Sequence, residues 1–197
     1  PRLSSAASDV YKRQARTPFG RFRGALSSYS AVELGVRAVE ELLRRTGIDP
    51  SGGEIDQVYM GQVLQAGAGQ APARQVALGC GMPNSTSCTT INKVCGSSLK
   101  AVMIAASEIR AGVSELVVAG GMESMSNAPR FIREARRGED VPFKSLLSIL
   151  SHDGLTDAFS GELMGNTGET CALEYGISRE ESDAVSYTHL TLPTKVE

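Results

Sequence analysis

The sequence predicts an α/β fold with helices layered on a sheet, and three observations carry that prediction. Amphipathic helical periods alternate with short β-branched or apolar runs, and Thr89–Ala119 reads as a complete strand–helix–strand unit. Aromatic residues make up only 5% and Trp is absent, so the core must come from Ala, Val, Leu, Ile and Met, the usual material of helix-on-sheet packing. Glycine is abundant, 21 of 197 residues, but has no period and Pro is only 8, which excludes collagen. With 41% hydrophobic and 21% charged residues the chain is globular rather than disordered. At a prior of roughly 150 residues per domain, its length gives one domain and a remainder.

The first helix opens at Ser30, which with Glu33 has the spacing of a capping box. Val32, Val36, Val39 and Leu43 form its apolar face, Gly47 fits the C-cap, and Pro50 prevents continuation. Gln57–Val63 reads as a buried strand in which Gly61 marks a bend or a close backbone approach. A flexible turn at Gly67–Gly69 precedes a helix opened by Pro72 and carrying Ala73, Val76, Ala77 and Leu78. Gly79, Gly81 and Pro83 end it. Thr89–Val94 has the β-branched content of a strand. The next helix spans Ser97–Ala111, with Leu99, Val102, Met103, Ala106 and Ile109 as its apolar stripe and Gly112 as its stop. Glu115–Ala119 reads as a buried parallel strand. From Met122 to Phe143 the pattern loosens into a polar excursion. A short helix is predicted near Gly168–Tyr175, and Ser178 with Glu181 starts another.

Net charge is −2, from 20 basic and 22 acidic residues, so no basic footprint points to nucleic acid. No apolar run approaches the ~18 residues of a membrane span. The opening PRLSSAASDVYKRQ lacks the apolar stretch of a signal peptide. Four cysteines fit neither a zinc spacing nor a dense disulfide framework, so free thiols in a reducing, cytoplasmic compartment are expected.

Cys95, in NKVCGSSLK, is the principal chemical candidate. It lies between a strand end and a helix start, where unpaired N–H groups and the helix dipole favour thiolate over thiol. Lys93 adds positive charge nearby, and Gly96 leaves room for a substrate. The carboxyl end of a parallel strand is also where open α/β folds bind ligands. The competing reading is a small buried cysteine, a common core residue. Cys80, Cys88 and Cys171 take that second reading. His152 reads as a surface residue and His189 lies in an atypical tail, so a Cys–His hydrolase pairing has little support. Glu123 reads as a solvated loop acid without a catalytic role. GQVLQAGAGQ lacks both the Walker ending and the G-x-G-x-x-G spacing, which argues against a nucleotide fold.

NKVCGSSLKAV and GGMESMSNAP closely resemble the thiolase family, the acetyl-CoA C-acetyltransferases and 3-ketoacyl-CoA thiolases. RTPFGRFRGALSS (Arg16–Ser28), GQVLQAGAGQAPARQ (Gly61–Gln75) and DGLTDAFSGELMGNTGE (Asp153–Glu169) extend the match in order from about Ala15 to Ala184. The resemblance implies the N-terminal half of the thiolase fold, a layered α/β arrangement with a mixed sheet and βαβ units, plus a truncated loop domain. It makes Cys95 the acyl-thioester nucleophile, with its backbone N–H as an oxyanion donor. Leu155 and Met164 match positions lining the acyl and pantetheine pocket. Coenzyme A enters as substrate, with no cofactor or metal. The parent protein would be a cytoplasmic homodimer or homotetramer of fatty acid metabolism that forms or cleaves 3-ketoacyl-CoA.

The expected organisation is a non-native flank at 1–14, an N-terminal domain at 15–121 with its first strand incomplete, the start of a loop domain at 122–184, and a second non-native flank at 185–197. Both flanks depart from the family pattern, and SYTHLTLPTK stands where the helix from Ser178 should continue. Leu163 stands where many short-chain biosynthetic thiolases carry His, so the resemblance does not extend to acetoacetyl-CoA preference. The family's Gly-His-Pro histidine, water-holding Asn and second cysteine have no counterpart, so this chain reads as an inactive fragment with an exposed packing face. Two alternatives remain at this level: a ketosynthase-like condensing enzyme, and a non-catalytic CoA-binding or interaction fragment.

Overall fold

The computed structural model describes residues 13–132, 140 and 142–191, with side chains to residue 187. Most of the expected first flank and the end of the second therefore lie outside the described residues, as does the His189 side chain. The chain divides into two compact units, Pro1–Asn127 and Ala128–Glu197.

The first unit is built around three parallel strands. Helix α1 (Ala31–Thr46) starts at the expected capping box: the Ser30 hydroxyl accepts from the Glu33 N–H, and the Glu33 carboxylate accepts from the Ser30 N–H. It ends at Gly47, whose φ of 70° is the left-handed cap. Strand β1 (Gln57–Gly61) leads to α2 (Pro72–Gly79), β2 (Ser87–Ile91), α3 (Ser97–Ala111) and β3 (Val117–Gly121). The strand order is β2-β1-β3, with β1 paired in parallel to both neighbours. The Asp56 carboxylate accepts from the N–H groups of Glu115 and Leu116 and fixes the entry to β3 beside β1.

Alternation along the strands sends side chains to opposite faces. Val58, Met60 and Val118 pack with Val39, Leu43, Ala73, Val76 and Ala77 of α1 and α2 into the main core. Tyr59 packs on the other face with Ala101 and Ala105 of α3, supported by Ile91, Val117 and Ala119. Three layers result, α1 and α2 on one side of the sheet and α3 on the other.

The α3 stripe expected to be buried is exposed. Leu99 is 66% exposed, and Val102, Met103 and Ile109 also face outward. Contact with the sheet is made instead by the small residues Ala101 and Ala105, which let the helix lie close. Strand β2 stops at Ile91 rather than Val94, because the Asn92 side chain accepts from the Val94 N–H and turns the chain.

Met122–Asn127, expected to open the second domain, is held by the first unit. Met122 is buried in the main core. The Ser124 hydroxyl donates to the Tyr29 carbonyl, and the Asn127 amide donates to the carbonyls of Ser27 and Tyr29.

The second unit contains an antiparallel pair, β4 (Arg130–Phe131) and β5 (Leu147–Ser148), a π-helical turn at Leu150–Leu155, and helices α4 (Met164–Tyr175) and α5 (Arg179–Thr191). Helix α5 runs on through Val185–Thr191, past the point where the sequence pattern loosens. Ser178 and Glu181 cap its start, and no proline intervenes before Pro193. No described helix is long and apolar enough to cross a membrane.

Candidate active site

The carboxyl ends of β1 and β3 carry Gly61 and Gly121, and the start of α3 lies against both. A Cβ at Gly61 would come within 2.7 Å of the Ser97 carbonyl carbon and the Ser98 nitrogen. A Cβ at Gly121 would collide with the Ser98 hydroxyl. Gly61 is therefore the close approach that the sequence suggested, and it lets the first turn of α3 sit on the strand ends.

Ahead of that turn the chain is pinned by local bonds. The Lys93 N–H donates to the buried Ser97 hydroxyl at 2.8 Å, and that hydroxyl donates to the Val94 carbonyl at 2.5 Å. Val94 has φ 47°, a left-handed conformation that a β-branched residue adopts only under constraint. The next residue is Cys95, with an exposed thiol two residues before the first residue of α3. Its exposure excludes the core-cysteine reading at this position. The strained turn places Cys95 just ahead of the first turn of α3.

A cavity of about 250 Å³ opens here, lined by Val94, Cys95, Gln62, Val63, Ser98 and Glu123 among others. None of its lining residues is a histidine. A second cavity, about 520 Å³, is formed by the Arg16–Phe22 segment with α1 and shares Ser98, Gly121, Met122 and Glu123 with the first.

Glu123 is not the solvated acid that the sequence suggested. It is half-buried, and its carboxylate accepts from the N–H groups of Val63 at 2.9 Å and Leu64 at 3.3 Å. Burial pushes the carboxyl above its ordinary value, while backbone N–H groups of Val63, Leu64 and Ser124 pull in the opposite direction. Gln62 is 2% exposed, and its amide donates to the Leu64 carbonyl at 3.2 Å. Its Oε1 is buried without a hydrogen-bond partner among the described residues. The sequence held only a weak signal for Glu123: an acid shortly after a predicted strand, near the ligand-binding edge of a parallel sheet.

The other cysteines differ. Cys80 is buried at the end of α2, and burial, aided by the negative charge of Glu40, pushes its thiol up to about 11. That makes it an inert structural thiol. Cys88 is half-buried in β2. Cys171 is exposed on α4, so the expectation of a core residue fails there. That helix carries no buried residue.

Leu155 ends the π-helical turn and Met164 begins α4, both within the second unit. His152 is partly exposed in the same turn, bonded to Asp153 at 2.5 Å and edge-on to Phe131. Its surface placement agrees with the sequence reading.

Comparison with known proteins follows the same outline. The model of the thiolase N-terminal domain matches residues 12–190. A probable acetyl-CoA acetyltransferase of Escherichia coli is 51% identical over 169 residues, covering 86% of this chain and 42% of that protein. Acetyl-CoA acetyltransferase 2 of Arabidopsis thaliana is 50% identical over 169 residues, covering 86% and 41%. Among solved structures, the Acat5 thiolase of Ascaris suum, in complex with coenzyme A, superimposes with a TM-score of 0.76 at 40% identity, covering 88% of this chain and 44% of that one. The chain thus spans about two fifths of the length of the curated relatives it matches. With that family's N-terminal domain matched over residues 12–190, the chain belongs to the thiolase family.

Proposed function

We propose that Cys95 is the acyl-carrying nucleophile of a protein that transfers acyl groups between coenzyme A thioesters. The observation that carries this reading is the exposed thiol at the start of α3, held behind a strained Val94 at the carboxyl end of a parallel sheet.

The thiolate attacks the carbonyl carbon of an acyl-CoA or 3-ketoacyl-CoA. With an acyl-CoA the carbon–sulfur bond breaks and coenzyme A leaves as its thiolate; with a 3-ketoacyl-CoA the attack falls on the C3 ketone, the C2–C3 bond breaks, and acetyl-CoA leaves as its enolate, which takes up a proton. The acyl group remains on Cys95 as a thioester until a second coenzyme A substrate removes it. With an acyl-CoA one thioester is exchanged for another, so that half-reaction is nearly balanced; with a 3-ketoacyl-CoA a carbon–carbon bond is exchanged for a thioester. The Cys95 backbone N–H, at a helix start, is assigned to the developing oxyanion. Leu155 and Met164 are assigned to the acyl and pantetheine pocket. Coenzyme A is the substrate and no separate cofactor is invoked.

The same reading places the protein among homodimeric or homotetrameric enzymes of fatty acid metabolism. A reducing, cytoplasmic compartment suits a nucleophilic thiol, and all four cysteines are free. Turnover needs a base to remove and return the thiol proton, and among the described residues the lining of the Cys95 cavity holds no imidazole. This chain on its own is therefore expected to acylate slowly and not to cycle.

The test is acylation without turnover. Incubation with acetoacetyl-CoA, in the absence of free coenzyme A, should release acetyl-CoA once per chain and leave an acetyl group on the Cys95 peptide. Cys95→Ser should reduce that release roughly 10³-fold or more. Release that survives the substitution, or an acetyl group found only elsewhere, would overturn the assignment.

A further inference from the structure

We propose that Glu123 is a positioning residue for Cys95: its carboxylate clamps the Val63–Leu64 turn that forms one wall of the nucleophile's cavity. The proposal rests on the acyl-transfer reading of Cys95 and adds a residue to it.

The geometry is specific. Val63 and Leu64 follow β1 after one residue, Gln62, beyond the sheet's last ladder residue, Gly61. Both of their N–H groups point at one carboxylate, that of Glu123, some sixty residues away in sequence. The Leu64 carbonyl is taken by the Gln62 side chain, so this residue is held at both its N–H and its carbonyl. Gln62, Val63 and Glu123 all line the cavity with Cys95. Glu123 also lines the larger neighbouring cavity, so it stands in the wall between the two.

Placing a carboxylate in a half-buried site is costly unless its lone pairs are used. Here they are used on main-chain donors, one of which, Val63, lines the cavity, with Leu64 next to it in the chain. A surface acid would confer no such order. The carboxylate also contributes a fixed negative charge to the cavity that holds the thiol. Glu123 and Cys95 line one cavity, so removing this charge tests whether the clamp reaches the thiol.

The test uses this chain with Glu123→Gln, Glu123→Asp and, as a surface control, Glu54→Gln. Two readouts are taken: hydrogen exchange at the Val63 and Leu64 amides, and the pH profile of iodoacetamide labelling at Cys95, resolved by peptide. Glu123→Gln should raise exchange at both amides about tenfold. It should also move the labelling profile to lower pH, making Cys95 about threefold faster near neutrality. Glu123→Asp keeps the charge but reaches less far. It should raise exchange while leaving the profile close to that of the unsubstituted chain. Glu54→Gln should change neither.

Unchanged exchange at Val63 and Leu64 in both Glu123 variants overturns the clamp. Raised exchange with an unmoved profile in Glu123→Gln overturns the link to Cys95. If Glu123→Gln fails to fold, the exchange arm is decided by Glu123→Asp, and the charge arm by measuring the unsubstituted chain at 0.1 M and ~1 M salt, where screening should move the profile the same way. A Cys95 that labels no faster folded than unfolded, while the amides respond as expected, would overturn the acyl-transfer reading instead of the clamp.

Discussion

The two faces of the β2-β1-β3 sheet are built differently. The α1/α2 face is closed by apolar mass: Val39, Leu43, Val58, Met60, Val76 and Val118 are all buried there. The α3 face buries only Tyr59, Ala101 and Ala105 at its centre, and leaves Leu99, Val102 and Met103 uncovered. What holds α3 is close fit and polar linkage. Its first turn rests on Gly61 and Gly121, and Tyr59 donates to Glu108 at 2.5 Å. The first face supplies stability. The second supplies position, and Cys95 is what it positions.

The comparison can be broken in graded ways. Leu43→Ala attacks the closed face and should cost about 2–5 kcal/mol in urea unfolding, because the main core cannot collapse around the gap. The labelling rate of Cys95 in the folded fraction should hardly change. Gly61→Ala attacks the other face. The new Cβ meets the backbone of Ser97 and Ser98, which cannot swing aside as a side chain would. It should cost about 1–3 kcal/mol and, unlike Leu43→Ala, should alter Cys95 labelling severalfold.

Tyr59 gives a pH-dependent version of the same test. Burial, with the hydrogen bond to Glu108 and its charge, pushes the phenol from its ordinary 10.0 up to about 12. Its folded-state value is raised, so its contribution is complete below pH 10 and is lost as pH rises from about 10 to about 12. Alkaline titration followed by circular dichroism should show that loss. Tyr59→Phe should remove it, at a cost of about 1 kcal/mol near neutrality. The smallest effect is expected at the uncovered stripe. Leu99→Glu should change stability by less than about 0.5 kcal/mol while reducing aggregation in light scattering, because it interrupts an exposed apolar patch. A large destabilisation there would mean that the stripe is covered after all.

The sequence was most legible where a local signal and the tertiary structure agree. Ser30, Glu33 and Gly47 bound α1 by backbone hydrogen bonding alone, and those bonds form as expected. The glycine in the middle of QVYMGQV pointed to the close approach found at Gly61. The α3 stripe was legible as a period but not as a burial. Periodicity shows that Leu99, Val102 and Met103 share a face, not that the chain covers it. The contact side of α3 is carried by Ala101 and Ala105, whose small size makes a weak sequence signal. Strand β2 was read three residues too long because β-branched content outweighed the turn signal of Asn92. Glu123 was missed because an acid in a loop is ordinarily solvated. Its partners, Val63 and Leu64, are main-chain groups that no side-chain pattern records.

The proposed role of Cys95 requires that the fold, and not mere exposure, make its thiol reactive. Cys171 is the internal comparison, since both thiols are exposed and only Cys95 sits at a helix start on the sheet's carboxyl edge. Iodoacetamide labelling of the native chain at neutral pH, resolved by peptide, measures both at once. Cys95 should label about tenfold faster than Cys171, and the difference should vanish in denaturant. Equal rates in the native chain, or an advantage that persists after unfolding, would contradict the account.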